Sequence, residues 1–217
     1  MLKKNKMMIV LSSLAILLPI VYGLIMWNSL PDAIATHWNF TGEADGYSSK
    51  AFAVFGFSGI LFLFHVLALV ITAKDQKNKD QSGKVLGMLL WICPFLSWFM
   101  NFLVYAQALG KQISIGAWLG AFFSLLFLIA GNYLPKVKHN RTIGIRIKWT
   151  LQNEENWNLT HRLAGKLWVV CGVLQLLAGF ILPETAVFAV MMILTAIAVI
   201  VPTLYSWRLS KKQTTEG

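Results

Sequence analysis

Charge is scarce in this 217-residue chain: Asp, Glu, Lys and Arg together make up 13% of it, against roughly a quarter in soluble domains. Six apolar stretches contain no charged residue at all, namely residues 7–27, 51–73, 85–109, 113–134, 167–182 and 186–205. A helix needs about 20 apolar residues to cross the hydrocarbon core. We therefore predict six transmembrane helices, the fifth beginning before its short apolar stretch. Without carboxylates in these stretches, an ion-driven transporter is disfavoured.

Cysteine and catalytic motifs are also scarce. Cys93 and Cys171 lie singly inside apolar stretches, which argues against a disulfide framework or a thiolate metal site. The sequence has no HExxH motif, no Gly-rich phosphate loop and no nucleophile–base–carboxylate set. His37, Glu43 and Asp45 are too loosely spaced to predict a metal site. We predict no enzyme, no catalytic residue, no cofactor and no bound metal.

Acidic residues are few, nine against 19 Lys and Arg. If the N-terminus is cytoplasmic, 17 of the 19 basic residues fall on cytoplasmic segments, and only Lys50 and Lys111 lie outside. This bias predicts a multi-pass plasma-membrane protein with both termini in the cytoplasm. The surplus charge then faces anionic lipid, so direct nucleic-acid binding is not expected. The predicted fold is all-α, a single integral membrane domain over residues 1–217, whose first apolar stretch is a retained helix and not a signal peptide.

Some residues inside these stretches are unusual for a membrane helix. Pro19, Pro94 and Pro202 each remove a backbone donor, so neighbouring groups must satisfy the freed carbonyls. Four polar side chains lie at membrane depth. They favour either hydrogen bonds between helices or a lined cavity, and they are His65, Asn101, Gln107 and Gln175.

The predicted outer loop, residues 28–50, has turn signals at both ends and alternation through Ile34, Thr36, Trp38 and Phe40, so we expect a compact, structured loop. Its acidic residues outnumber its one lysine, which would attract a cationic ligand. The candidate ligand-facing residues are Asp32, His37, Trp38, Glu43, Asp45 and Tyr47, with Trp38 and Tyr47 expected at headgroup level.

The predicted inner loop, residues 131–168, holds seven Lys/Arg and three Trp. Apolar residues alternate from Ile143 to Trp149, which predicts an extended, strand-like piece. Thr150 opens a candidate helix N-cap region. Trp157, His161, Ala164 and Trp168 then share one helix face, which suits a helix in the headgroup plane that bends into the fifth span. The loop is either an ordered cytoplasmic platform or only a lipid-anchoring linker.

The stretch GNYLPKVKHNRTIGIRIKWTLQNEENWNLTHRLAGKLW resembles the signature of the SdpI-type immunity protein family. The matching elements are Gly131-Asn132, Asn140, Gly144-Ile145-Arg146, Trp149-Thr150-Leu151, Trp157, Thr160-His161-Arg162 and Gly165. The family commonly has Thr-Pro after its GIR element, where this chain has Ile147-Lys148. LPDAIATHWNFTGEADGYSSK is similar to the domain of unknown function that often precedes the signature.

This resemblance implies immunity of a Gram-positive bacterium to a secreted, membrane-active peptide toxin, with the toxin and membrane lipids as partners. It also implies signalling in some members, in which the membrane protein holds a cytoplasmic transcriptional repressor. The implied signature residues are Asn132, Asn140, Gly144, Arg146, Trp149, Thr150, Trp157, His161 and Arg162. The residues alone leave two alternatives open: a small transporter or exporter, or a cell-envelope regulator without toxin involvement.

Overall fold

The computed structural model describes residues 5–215, apart from the side chains of residues 79, 80 and 213–215. It consists of helices α1 (Lys6–Ile25), α2 (Phe57–Lys74), α3 (Gly83–Ala108), α4 (Ile115–Tyr133), α5 (Lys148–Gln152), α6 (Glu154–Ile181) and α7 (Glu184–Thr215), with strands β1 (Ala33–Trp38) and β2 (Ala44–Ser49) between α1 and α2. One π-helical turn, Phe52–Gly56, leads into α2.

Six helices in residues 5–215 are long and apolar enough to cross a membrane, as predicted. The fifth runs from Glu154 to Ile181, which confirms that it begins well before its apolar stretch. The last helix continues past the predicted end at residue 205 and carries Arg208 and Lys211 with it. Within residues 5–215 the one departure from an all-α fold is the pair of short strands.

The chain divides into two compact units. The first contains residues 5–74 and 86–118, with a core of Leu30, Ile34, Ala53, Val54, Val104 and Tyr105. The second contains residues 75–85 and 119–215, with a core that includes Phe127, Cys171, Leu194 and Ala198. The single domain over residues 1–217 stays a prediction.

The outer-loop residues form a β-hairpin in the first unit, which confirms the expected structured loop. β1 pairs antiparallel with β2 from Ala33–Ser49 to Trp38–Ala44, with irregularities around His37. The turn is closed by the Asn39 side chain, whose Oδ1 accepts from the backbone N–H groups of Thr41 at 2.9 Å and Glu43 at 3.0 Å. Ile34 and Leu30 anchor the hairpin in the core, so the alternation does mark a strand with a buried face.

Two of the prolines show how a proline is tolerated inside a membrane helix. Pro19 has no N–H to give the carbonyl of Ala15, and the Trp98 indole Nε1–H donates to that carbonyl at 2.9 Å. Pro202 leaves the carbonyl of Ala198 without its helical partner, and the Trp168 indole donates to it, also at 2.9 Å. The expectation that neighbours satisfy freed carbonyls is therefore confirmed at these two prolines, once in each unit.

The polar side chains at depth mostly bond to neighbouring helices. Asn101 donates to Ser58 Oγ at 3.1 Å, and His65 lies 3.3 Å from Ser12 Oγ. Gln107 accepts from the Trp38 indole at 2.6 Å, which ties the hairpin to the end of α3. Gln175 is the exception: it is fully buried, and within residues 5–215 neither of its side-chain polar atoms has a hydrogen-bond partner.

Candidate functional site

The basic loop, defined here as residues 134–153 of the second unit, is closed by the buried side chain of Asn140. Its Nδ2 donates to the carbonyls of Lys138 at 2.8 Å and Ile143 at 3.0 Å. Its Oδ1 accepts from the backbone N–H groups of Thr142 and Ile143, each at 2.7 Å. One amide thus satisfies backbone groups that have no ladder or helix to bond with, which a buried loop requires.

Trp157 and His161 form the wall against which this loop folds. Their rings stack with centroids 4.0 Å apart, and both side chains are almost completely buried. The Trp157 indole donates to the carbonyl of Val137 at 2.9 Å. His161 Nδ1 donates to the carbonyl of Trp157 at 2.8 Å, so its Nε2 is free to accept from the N–H of Ile145 at 3.0 Å. Both contacts together define a neutral imidazole with its proton on Nδ1.

Gly144 is required where the loop crosses this wall. Its φ is +106°, a conformation that side chains with a Cβ rarely adopt. A Cβ there would also lie 2.5 Å from His161 Nε2 and 3.2 Å from Trp157 Cζ2. The glycine of the signature therefore lets the backbone approach the two rings closely.

Thr150 lies in the short helix α5 and fixes its beginning. The N-cap residue is Ile147, whose N–H donates to Thr150 Oγ1 at 3.1 Å, and Lys148 is the first helical residue. In the SdpI-type pattern these two positions carry Thr and Pro, which are favoured at N-cap and N1. In this chain the helix begins at Lys148 without a proline.

The predicted strand over residues 142–149 is wrong. The burial alternation exists, since Ile143, Ile145 and Ile147 are more buried than Gly144 and Arg146. No strand partner lies beside it in the described chain, and the helix α5 takes over at Lys148. Side-chain bonds from Asn140, His161 and Thr150 replace a β-ladder, which the periodicity alone could not reveal.

The helix predicted to lie in the headgroup plane and to bend into the fifth span is continuous with that span. Residues 154–168 belong to α6, which has no proline and runs uninterrupted to Ile181. Its N-cap is Asn153, whose side chain accepts from the N–H of Asn156 at 2.8 Å, and not the Thr150 region. Trp157 is packed under the basic loop and Trp168 packs on Phe127, so neither indole serves as a lipid anchor. The shared face of Trp157, His161 and Ala164 is confirmed, and it is buried.

A second segment, residues 75–81, holds the loop from the other side. Gln81 pairs with the backbone of Lys138, donating to its carbonyl at 2.8 Å and accepting from its N–H at 3.1 Å. Asn78 Nδ2 donates to Thr142 Oγ1 at 2.6 Å, and Asp75 accepts from the N–H of Arg141 at 2.8 Å. Sequence reasoning missed these residues. The signal available in the sequence was a run of polar side chains in this link between two helices, because a simple link does not require such a run.

Asn156 was missed as well, although it lies beside the signature Trp157. It is fully buried, donates to the carbonyl of Ser206 at 2.9 Å and accepts from Ser206 Oγ at 2.6 Å. Thr160, four residues on, donates to the same Asn156 oxygen at 3.1 Å. These bonds join α6 to α7. The i, i+4 spacing of two polar residues was the available signal.

The remaining signature residues are solvent-facing. Asn132 is exposed and accepts from Lys136 Nζ at 3.2 Å. Arg146 and Arg162 are exposed, and Trp149 is half-buried on α5. Further exposed cations of the same region are Lys136, Lys138, Arg141, Lys148 and Lys166. The signature thus separates into a buried frame and a basic exposed set.

The hairpin presents the acidic candidates. Asp32, Glu43 and Asp45 are all exposed, and each has a local partner. Asp45 Oδ1 lies 2.5 Å from His37 Nδ1, and Asp32 lies 3.2 Å from Lys50 Nζ. Glu43 bonds to the turn residues and not to His37. Among the described residues no group of three possible metal ligands occurs.

The two aromatic candidates of the hairpin are placed differently. Trp38 is half-buried, with its indole bonded to Gln107. Tyr47 projects from β2 with 64% of its surface exposed. Of the two, Tyr47 is the side chain that a ligand could contact without displacing a bond of the fold.

Comparison with known proteins finds one family model that covers the hairpin and another that covers most of the basic loop. The model of the SdpI/YfhL protein family matches residues 136–206, and that of the domain of unknown function DUF1648 matches residues 14–62. The chain is 27% identical to Immunity protein SdpI of Bacillus subtilis (strain 168) over 211 residues, which cover 97% of each protein. No solved structure matches. The chain is thus similar to the SdpI/YfhL protein family over residues 136–206 and to one immunity protein over nearly its whole length.

Proposed function

We propose that this multi-pass membrane protein confers immunity to a secreted, membrane-active peptide toxin. The observation that carries the proposal is the similarity to an immunity protein over 97% of both chains. The two compact units each contain one of the matched segments, residues 14–62 in the first and 136–206 in the second. The similarity to the immunity protein therefore extends over both units.

The span count and the charge distribution support one orientation in the membrane. The hairpin comes after the first span and the basic loop after the fourth, so three spans separate them. An odd number of crossings puts the two segments on opposite sides of the membrane. The basic loop carries five exposed cations, Lys136, Lys138, Arg141, Arg146 and Lys148, which favours its placement in the cytoplasm with both termini. The hairpin then faces the outside.

The outward hairpin is the candidate contact for the toxin. Its exposed carboxylates suit a cationic peptide, and exposed Phe40 and Tyr47 offer apolar contact beside them. The strands hold these groups on a fixed scaffold that is anchored through Leu30 and Ile34. Charge of this kind accelerates encounter more than it raises affinity.

The cytoplasmic basic loop is the candidate docking surface for a soluble partner such as a transcriptional repressor. Its buried frame fixes the backbone, and the exposed Arg146, together with Arg162 on α6, is a candidate to pair with acidic groups. This reverses the expected role of Trp157. Because it is fully buried, Trp157 supports the surface and does not contact the partner.

The immunity function is tested by survival. Cells that express the protein and are exposed to the cognate toxin should survive, whereas cells with an empty vector should not. Asp45→Lys on the hairpin should reduce protection, and Lys148→Glu on the basic loop should leave it unchanged, with membrane levels of both variants verified by immunoblot. Equal killing of protein-expressing and vector cells would reject the proposal.

Recruitment is tested separately with a fluorescent fusion of the candidate soluble partner. Arg146→Gln should release the fusion from the membrane without lowering the amount of membrane protein. Asn132→Ala, which alters another exposed signature residue, is the matched control. If the Arg146→Gln variant still recruits the fusion fully, the basic loop is not the docking surface. The immunity proposal would be unaffected by that result.

A further inference from the structure

A groove of about 360 Å³ follows the last turns of α3 and the C-terminal part of α1, within the first unit. Most of its lining is apolar or aromatic, including Tyr22, Trp98, Phe102 and Leu109. Lys111, three residues beyond the end of α3 at Ala108, lines the same groove. An apolar channel with a cation at one end is the lining that an anionic amphiphile requires.

The length of the groove matches one leaflet of a bilayer. Trp98 and Leu109 are eleven residues apart on one helix line, which corresponds to about 16 Å at 1.5 Å per residue. Half of a hydrocarbon core of about 30 Å is 15 Å. The groove therefore extends from the end of the span, where headgroups lie, to about the middle of the membrane.

The walls of the groove are held by hydrogen bonds between α1 and α3. The Trp98 indole is fixed on the carbonyl of Ala15, and the Tyr105 hydroxyl donates to the carbonyl of Pro19 at 3.2 Å. Gly23 permits this approach, because a Cβ there would lie 2.5 Å from the Tyr105 oxygen. The shape is thus specified by the sequence and is not an accident of loose packing.

The groove opens sideways. Tyr22, Trp98 and Phe102 keep 47%, 51% and 43% of their surface exposed, on helices that cross the membrane. Their exposed faces are available to lipid. A cationic peptide would meet Lys111 at the mouth with a like charge, whereas a lipid phosphate would meet it with an opposite one.

We propose that this groove binds one acyl chain of an anionic phospholipid, whose phosphate pairs with Lys111. The chain contacts Trp98, Phe102 and Leu109 along about 16 Å of α3. The site depends only on the depth of these residues in the span, so it holds for either orientation of the protein. It is also independent of the proposed immunity function.

The test is native mass spectrometry of the delipidated full-length protein titrated with phosphatidylglycerol or phosphatidylcholine. We expect one phosphatidylglycerol per chain to be retained preferentially. Lys111→Gln should weaken that binding about fivefold, the factor for about 1 kcal/mol per lysine at an anionic lipid surface. Lys84→Gln, an exposed lysine at the other end of α3, should not change it.

A second variant tests the groove itself. Ala106→Phe places a ring in the groove and should abolish the retained lipid, while the thermal unfolding midpoint confirms that the protein is folded. Equal retention of both lipids by the wild type, or retention unchanged in both Lys111→Gln and Ala106→Phe, would overturn the proposal.

Discussion

The hairpin and the basic loop are both polar connections between apolar helices, yet they are stabilised in different ways. In the hairpin the backbone groups bond to each other across the strands, and the polar side chains pair at the surface, as in Thr36 with Ser48. In the basic loop the backbone groups bond to buried side chains, chiefly those of Asn140 and His161.

The difference determines which residues remain available for a partner. Side chains of the hairpin can change partners without loss of the strand ladder, so its exposed acidic residues can exchange their local partners for a ligand. Four signature side chains, those of Asn140, Thr150, Trp157 and His161, are occupied in holding the backbone of the basic loop. A dense motif in a loop without regular structure is therefore mainly a folding requirement, and its exposed cations are the part left for recognition.

The largest expected effect on this comparison comes from Gly144→Ala. The positive φ costs about 1–3 kcal/mol for a residue with a Cβ, and the clash with His161 adds about 1–3 kcal/mol more. We expect the unfolding free energy to fall by about 4 kcal/mol. The measurement is thermal or denaturant unfolding of the purified protein in detergent.

Two other glycines separate strain from clash. Gly110 has φ of +76° but nothing within 4 Å of a Cβ, and Gly83 has neither strain nor a close neighbour. Gly110→Ala should therefore lose about 1–2 kcal/mol, the cost of the backbone conformation alone. Gly83→Ala should be neutral. Equal stability of Gly144→Ala and Gly83→Ala would contradict the described packing of the loop on His161.

Asn140→Ala should follow, with a loss of about 3 kcal/mol, because several buried backbone groups lose their partner together. Asn132 is the matched control: it belongs to the same signature but is exposed. Asn132→Ala should change the unfolding free energy by less than about 0.5 kcal/mol. Similar losses for both asparagines would show that the buried frame has been assigned to the wrong residue.

A smaller effect is expected where a tryptophan indole replaces the backbone donor that a helix proline lacks, as happens once in each unit. Trp168→Phe should cost about 1 kcal/mol, since the carbonyl of Ala198 loses its donor while the ring contact with Phe127 is kept. In a Pro202→Ala background the restored N–H should take over, and the cost should fall by at least half.

The same double-mutant cycle applies to Trp98→Phe with Pro19→Ala in the first unit. Strict additivity in both cycles, measured by unfolding in detergent, would mean that the indoles do not substitute for the missing proline donors.

The smallest effect is expected for Lys148→Pro. Lys148 is the first residue of α5, where proline needs no N–H partner, so the change should stay within about 0.5 kcal/mol. Leu151→Pro in the same helix removes the bond from the Leu151 N–H to the carbonyl of Ile147 and should cost about 3 kcal/mol. A large loss for Lys148→Pro would show that α5 begins elsewhere.

The sequence predicted the features that depend on local pattern. Uncharged apolar stretches located all six spans, because a lipid environment imposes length and hydrophobicity on every crossing helix. The alternation around Ile34 marked β1, and the spacing of Trp157, His161 and Ala164 marked one buried helix face. Freed proline carbonyls were correctly expected to find neighbours.

What it could not predict depended on contacts distant in sequence. The alternation from Ile143 to Ile147 looks like that of a strand, but its backbone bonds run to Asn140, Thr150 and His161. Tryptophan is a residue type typical of lipid anchors, and only the fold shows that the Trp157 indole instead donates to the carbonyl of Val137. The clamp from Gln81 lies 57 residues away from its partner Lys138, beyond any periodicity.

The central claim, that the hairpin and the basic loop face opposite sides of the membrane with the hairpin outward, is tested most directly by single-cysteine labelling. After replacement of Cys93 and Cys171, Tyr47→Cys and Lys148→Cys each offer one exposed thiol. In intact cells a membrane-impermeant maleimide should label Tyr47→Cys and spare Lys148→Cys until the membrane is permeabilised. Labelling of Lys148→Cys alone in intact cells would reverse the orientation, and labelling of both would contradict the six-span topology.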